Sequence, residues 1–334
     1  MVPKVAVDIG EKYIKVLEGY RKKDVFLIKN FGMIENPVEN WKKSTEEDSS
    51  GILSNVLKVY LKELNIKDRN TVCSISGEGL VIHYFEIPEM PEEEIKNAVE
   101  IEVLQVIPTG IENIEYDYSV FNVGGKKYVF FVGYPKEKCD FILNVFQKSG
   151  LKPLIMDIDG LALVNCYNYV KKNNWQLPVF ILNLGHNTTN LSIAQKDGFI
   201  FVRDIPFGGN NVINFISETK EISIEESEKF ITDEENYEEV KNAVKNSSEE
   251  LLREIEIGVE YFRTRTGERP SEFLITGGSS TLSGLKQLLE EELQENIEIW
   301  NPFEYIDENL VPPDIKERGR FFSISLGLLT RKIG

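Results

Sequence analysis

The feature of this sequence that most restricts its fold is one strand-and-turn pattern that occurs twice. Val5 to Asp8 is a β-type run ending in Asp8-Ile9-Gly10; the alternating stretch Tyr13 to Glu18, a charged turn at Arg21 to Asp24 and a third strand, Val25 to Phe31, follow it. An amphipathic helix over 52–64 comes next, with Leu53, Val56, Leu57, Tyr60, Leu61 and Leu64 on one face. From Val179 the same order returns. Phe180-Ile181-Leu182 leads into Asn183-Leu184-Gly185, strands over 188–194 and 199–205 flank the turn Lys196-Asp197-Gly198, and Gly208-Gly209 opens a helix. Asp8 and Asn183 stand 175 positions apart (from 8 to 183), and Gly10 and Gly185 keep that offset. Two strand–turn–strand–strand–helix units with matched first turns read as a duplicated α/β domain.

A chain of 334 residues exceeds one ordinary core, so the duplication is expected to give two lobes. The first takes 1–82 plus 153–178. Residues 83–152 form an inserted α/β piece: a strand to Ile87, a helix from Glu92 stopped by Pro108, a hairpin about Gly124-Gly125, and a helix over 136–149. The second lobe takes 179–210 plus 272–334, with a mostly helical portion at 211–271. Its tail reads as a strand over 273–276, a helix over 281–293, a strand over 297–300 and a last helix from about Arg318. The stretch 221–260, with 14 acidic against 4 basic residues, reads as a solvated helical face.

Composition removes several classes of function. Formal net charge is −17, against the clustered cations a nucleic-acid surface needs. No run approaches the roughly 18 apolar residues of a membrane-spanning helix. The amino terminus runs directly into a strand, as in a chain without a signal peptide. Cys73, Cys139 and Cys166 are too scattered for a zinc site or a disulfide framework, and read as buried small hydrophobes of a reducing cytoplasm. Only two histidines, His83 and His186, are present, too few for a histidine cluster. His83 reads as a structural imidazole in its strand, and His186 as a loop residue making a local hydrogen bond.

The duplicated turns carry the chemistry. Glycine lets a phosphate approach the backbone, and an aspartate at a strand end can hold a hydrated Mg²⁺. A third element, Thr276-Gly277-Gly278-Ser279-Ser280-Thr281, is a strand entering a Gly-Gly turn ahead of a helix amino terminus, which favours negative charge. Together these describe a nucleotide held between two similar lobes.

These turns resemble those of the actin, Hsp70 and sugar-kinase superfamily. The insert narrows the resemblance: Glu86-Ile87-Pro88-Glu89-Met90-Pro91-Glu92, Ile107-Pro108, Asp117-Tyr118, Gly150-Leu151-Lys152-Pro153 and Asp157-Ile158-Asp159-Gly160-Leu161 look like the PilM family, the actin-like cytoplasmic component of type IV pilus assembly. Leu282-Ser283-Gly284-Leu285 and Trp300-Asn301-Pro302-Phe303 match its carboxy-terminal pattern. The resemblance implies an actin-like (ribonuclease H-like) α/β fold, with duplicated ββββα-type domains around a nucleotide cleft. It implies ATP with Mg²⁺. Asp8, Gly10 and Lys12 fall in the first phosphate loop, Asn183, Gly185, Thr188 and Thr189 in the second. Gly208, Gly209, Gly277 and Gly278 fall on the ribose and adenine side with Glu254, and Asp8 and Asp157 on the metal side through water. It also implies that the cytoplasmic tail of a PilN-like inner-membrane protein docks between the first lobe and the insert. The protein would then sit at the membrane through its partners, among other pilus assembly proteins and with self-association open to it.

Three departures weaken the nucleotide chemistry. Glu11 and Lys12 stand where relatives carry small hydroxyl residues, Asn183 where an acid is usual, and Ile257-Gly258 where a cation and a hydroxyl meet the adenosine. A weak ATPase at most, or a nucleotide-degenerate adaptor, is the consequence, and no catalytic residue stands out. A sugar- or acetate-kinase-like phosphotransferase would need a base beside its substrate hydroxyl, and none is evident. The division protein FtsA would end in a linker and a basic amphipathic helix; here Phe322, Ile324, Leu326, Leu328 and Leu329 before Arg331 read as a core helix. The aromatic group Tyr128, Phe130, Phe131 and Tyr134 reads as insert core, whose edge strand could pair with a peptide.

Overall fold

A computed structural model describes residues 4–23, 25–43, 45–107, 110–196 and 198–331. Asp24 and Asp197 of the two turns and Pro108, the expected helix stop, lie outside the described residues.

The first lobe runs β1 (Val5–Ile9), β2 (Tyr13–Lys22), β3 (Val25–Glu35), α1 (Glu47–Glu63) and β4 (Asn70–Ile75). The insert follows as β5 (Val81–Ile87), α2 (Glu92–Val103), β6 (Ile114–Val123), β7 (Lys126–Pro135) and α3 (Lys136–Ser149). The chain returns through β8 (Lys152–Ile158) and α4 (Asp159–Val170). The second lobe comprises β9 (Val179–Leu184), β10 (Thr189–Ala194), β11 (Ile200–Ile205), α5 (Gly209–Lys220), α6 (Ile224–Phe230), α7 (Tyr237–Ser247) and α8 (Glu249–Thr266). Its remaining elements are β12 (Glu272–Thr276), α9 (Leu285–Leu293), β13 (Ile297–Ile299), α10 (Ile315–Arg318) and α11 (Ser323–Thr330).

The duplication is real at the level of register. The two sheets have the orders β3-β2-β1-β4-β8 and β11-β10-β9-β12-β13. Ile9 pairs with Ile14 and Asp8 with Lys15 in the first; Leu184 pairs with Thr189 and Asn183 with Asn190 in the second. Each pair reproduces its counterpart at the offset seen in the sequence. Gly10 N–H closes its turn on the Tyr13 carbonyl at 2.9 Å, and Gly185 N–H does the same with Thr188 at 3.1 Å.

α4 and α11 lie between the sheets, where Ala162, Leu163, Cys166, Leu326 and Leu329 pack with Leu17 of one sheet and Ile181 and Leu274 of the other. Gly327 presses against the Ala162 backbone so closely that a Cβ there would collide with its carbonyl oxygen. The carboxy-terminal apolar residues are therefore core, as expected. The helix expected from Arg318 is broken into α10, a 3₁₀ turn at Gly319–Phe322, and α11. The helix expected from Thr281 begins at Leu285, because Gly284 takes a left-handed φ of 78° and turns the chain just before it.

The insert sheet has the order β5-β7-β6, covered by Ile95, Val99 and Val103 of α2. Tyr128, Phe130, Phe131 and Tyr134 are all buried on the central β7, so the aromatic group is core and β6 is an outer strand. α3 packs Phe141, Val145 and Phe146 against Leu53, Leu57 and Leu61 of α1, in a core that the insert shares with the first lobe. All three cysteines are buried and unpaired. No helix among the described residues is long and apolar enough to cross a membrane.

Candidate functional site

The crevice is built from the two matched turns. Gly10 is fixed by its carbonyl, which accepts Asn36 Nδ2 at 2.8 Å and Trp41 Nε1 at 3.2 Å. Asp8 is 5% exposed, and its Oδ2 accepts Lys15 Nζ at 2.7 Å. The corresponding pair in the second lobe is neutral: Asn183 Nδ2 donates to Asn190 Oδ1 at 2.8 Å. Asn190 Nδ2 donates on to Asp204 Oδ1 at 2.8 Å, and Asp204 Oδ2 takes the Gly77 N–H of the other lobe at 2.5 Å.

Around Gly185 the second loop, α5 and the β12 turn converge. Its carbonyl accepts Gly209 N–H at 3.1 Å and Ser279 Oγ at 2.8 Å, while Asn210 N–H reaches the His186 carbonyl at 2.8 Å. Gly208 N–H bonds Asn211 Oδ1 at 2.9 Å, and Thr189 Oγ1 bonds the Phe207 carbonyl at 2.8 Å. Gly277 holds a φ of 92°, where a Cβ would lie 2.5 Å from the Leu184 carbonyl oxygen. Gly278 packs under the Phe321 ring. The first loop joins this group through Lys12, whose Nζ meets Glu228 Oε1 of α6 at 2.5 Å. His186 lies beside that pair; burial, then the Lys12 charge, lower its pKa.

A cavity of about 1010 Å³ opens between the lobes beside these loops. Lys42, Lys43, Thr188, Arg203, Asp204 and Ile257 are among its walls. Glu11 also reaches it, with Oε2 buried and unpartnered, and burial raises its carboxyl pKa against the pull of Lys42 and Lys43. Behind the wall, Asp159 accepts Ser74 Oγ at 2.5 Å. Burial first, then the nearby Asp8, push its pKa up to about 7.

The structure thus gathers Gly185, Gly209 and the Gly277-Gly278 turn directly, and Asp8, Gly10 and Lys12 opposite them. Two expected residues fall elsewhere. Asp157 does not reach Asp8: its carboxylate turns to Arg331 Nη1 at 2.7 Å, because α4 starts at Asp159 and it is Asp159 that the bending chain sends into the lobe junction. Glu254 is buried in an ion pair with Arg203, a residue of the cavity wall, and does not itself line the cavity. Glu228 is the helix acid that faces the crevice. Sequence reading missed it inside an acidic run taken whole as solvated, although the Ser223–Glu226 capping box fixes where α6 begins. Lys42, Asp159 and Asp204 were also missed.

Gly10, Gly185, Gly209, Gly277 and Ser279 spend their N–H groups on the protein's own carbonyls. Asp8 is neutralised by Lys15, and among the described residues no three His, Cys, Asp or Glu side chains are placed to hold a metal. Those five N–H groups are therefore not free to bind a phosphate in this arrangement, and the described residues form no inner-sphere metal set.

A second concavity, about 340 Å³, lies between the first lobe and the insert. Its walls are Glu115 to Ser119 of β6, Phe130 and Tyr134 of β7, and Met156 to Ile158 of β8 with Leu161 and Arg331. Among the described residues β6 pairs on one side only, with β7.

Two sheets of equal order and register, facing turns and a helix pair between them define an actin-like protein. A family model described as "Type IV pilus assembly protein PilM" matches residues 6–333, and the chain belongs to that family. Among solved structures it resembles a "PilM-PilN type IV pilus biogenesis complex" chain at TM-score 0.84 and 22% identity, covering 98% of each chain. It also resembles the ethanolamine utilization protein EutJ from Carboxydothermus hydrogenoformans at TM-score 0.60 and 13% identity, over 98% of this chain and 89% of that one. In sequence it is 23% identical to the cell division protein FtsA of Bacillus subtilis (strain 168), over 89% of this chain and 78% of that protein.

Proposed function

We propose that this protein is a cytoplasmic scaffold of type IV pilus assembly that docks the amino-terminal tail of a PilN-like inner-membrane protein in the concavity between the first lobe and the insert. The observation that carries the reading is the groove itself: an unpaired strand edge at β6 above an apolar floor of Ile75, Phe130, Val132 and Met156. An extended tail gains main-chain hydrogen bonds from such an edge and specificity from the floor. The likeness of the whole chain to a solved PilM-PilN complex supports the same partner. Attachment to the inner membrane then runs through that tail.

ATP with Mg²⁺ is the cofactor the resemblance implies, and the crevice is its place. Here a Lys12–Glu228 ion pair spans the two lobes beside the loops, and the N–H groups of Gly10, Gly185, Gly209 and Gly277 bond the protein's own carbonyls. On this reading a nucleotide is a weakly held ligand of the crevice and hydrolysis is slow at most, in keeping with the departures at Glu11, Asn183 and Ile257. Against a phosphotransferase, Asp159 does not line the cavity where a hydroxyl substrate would sit, and Asp204, which does, is already hydrogen-bonded by Asn190 and the Gly77 N–H; Glu11 is the carboxylate left unpartnered there.

The test is binding of a synthetic partner tail to the full-length protein, read by calorimetry and hydrogen exchange. Protection should appear over β6 and β8. Ser119→Trp, which fills the groove from its exposed rim, should abolish binding while leaving thermal unfolding unchanged. Binding that survives Ser119→Trp, with protection elsewhere, refutes the assignment.

A further inference from the structure

Among the described residues, the groove is lined by the acids Glu115, Asp117 and Asp157 and by a single cation, Arg331. Asp157 is 5% exposed; its Oδ1 accepts the Ile158 N–H at 2.9 Å, and its Oδ2 faces Arg331 Nη1 at 2.7 Å. Burial raises the carboxyl's pKa and Arg331 draws it back. Arg331 itself is far more exposed and follows directly after the last residue of α11, so no helix holds its backbone. The pair also separates the groove from a neighbouring cavity of about 920 Å³, since both residues line both spaces.

A buried carboxylate needs a cation, and here that cation is supplied by a part-exposed side chain just past the end of α11, at the mouth of the docking groove. We infer that the partner tail brings its own positive charge, an α-amino group or a Lys or Arg side chain, to Asp157 and takes the place of Arg331. Asp157 is then the specificity-determining residue of the groove, and Arg331 is its resting counter-ion. The inference rests on the docking assignment above and names the chemistry that the tail must carry. Glu115 and Asp117 on the rim favour the same sign of charge and speed its approach.

The experiment uses the full-length protein and two synthetic peptides of the partner's cytoplasmic amino-terminal tail. One is native; the other is acetylated at its amino end with each Lys or Arg changed to Gln. The native tail should bind the wild type about tenfold or more tightly than the neutralised one. Asp157→Asn should erase that difference, and Arg331→Gln should tighten the native tail by removing its competitor. Equal affinity of the two peptides for the wild type overturns the inference, as does an undiminished preference in Asp157→Asn. The double variant Asp157→Asn, Arg331→Gln leaves no lone charge and serves as the folding control. Should the Asp157 variants unfold, the two peptides on the wild type still decide. Ser119→Trp separates the two levels of the reading. If it abolishes binding while the preference is missing, the groove stands and the charge exchange falls; if it has no effect, the groove itself falls.

Discussion

Replacing Asp159 with asparagine should make the protein more stable at neutral pH and no more stable in acid. The carboxyl is sealed at the lobe junction, and burial followed by the charge of Asp8 moves its pKa from 3.8 to about 7, with Lys42 pulling the other way. Its bond from Ser74 Oγ is one that an amide oxygen also accepts. Between those two pKa values the unfolded chain has released a proton that the folded protein still holds. Stability is therefore lost as pH rises through that window and does not recover above it. A difference of about three in pKa corresponds to about 4 kcal/mol, which is the ceiling of the effect above pH 7. Asparagine carries no proton in either state, so the gap in unfolding free energy between variant and wild type should open across the window and then level off. Urea titrations at intervals from about pH 4 to about pH 8 measure it. A gap that is constant with pH, or a variant less stable at neutral pH, would refute the burial of a neutral acid at this place.

The double variant Lys12→Ser, Glu228→Gln should raise affinity for a fluorescent ATP analogue, because it removes the ion pair without leaving a lone carboxylate and restores a hydroxyl beside Gly10; unchanged or weaker binding counts against the pair as what disfavours nucleotide. The same variant should cost at most about 1 kcal/mol of stability in a urea titration, since both partners of that ion pair are partly solvated. Gly327→Ala should lower stability by about 1–3 kcal/mol or more by forcing α11 off α4, visible as a fall in thermal midpoint. Tyr84→Phe should cost about 1–3 kcal/mol, because the Val202 N–H that now donates to the Tyr84 hydroxyl at 2.7 Å loses its partner.

The parts of this molecule that were legible in its sequence are those where a local rule and the tertiary structure agree. Asp8-Ile9-Gly10 and Asn183-Leu184-Gly185 announced the duplication because both turns obey one register. The belt of aromatics at 128–134 announced a buried strand because β7 is central. The site was less legible, for reasons of geometry. Asp157 and Asp159 share a strand period, but the chain enters a helix between them, and periodicity cannot see that bend. Glu228 is one acid among many on paired helices, and only the folded chain shows which one faces Lys12. The N–H groups of Gly10 and Gly185 looked available from sequence; they are spent closing hairpins, which is the ordinary fate of a backbone donor in a tight turn.

Tyr84 has a mechanical consequence. It stands on β5 of the insert, yet its ring lies 5.6 Å from Phe199 and 5.7 Å from Phe201 of the opposite lobe, and its hydroxyl caps an amide of β11. Phe121, on the strand that borders the groove, touches Phe199 as well. The insert is therefore a strut pinned at both ends. A pull applied along β6 would be delivered to the rim of the far sheet, and parting the insert from that sheet requires drawing these rings out of their seats.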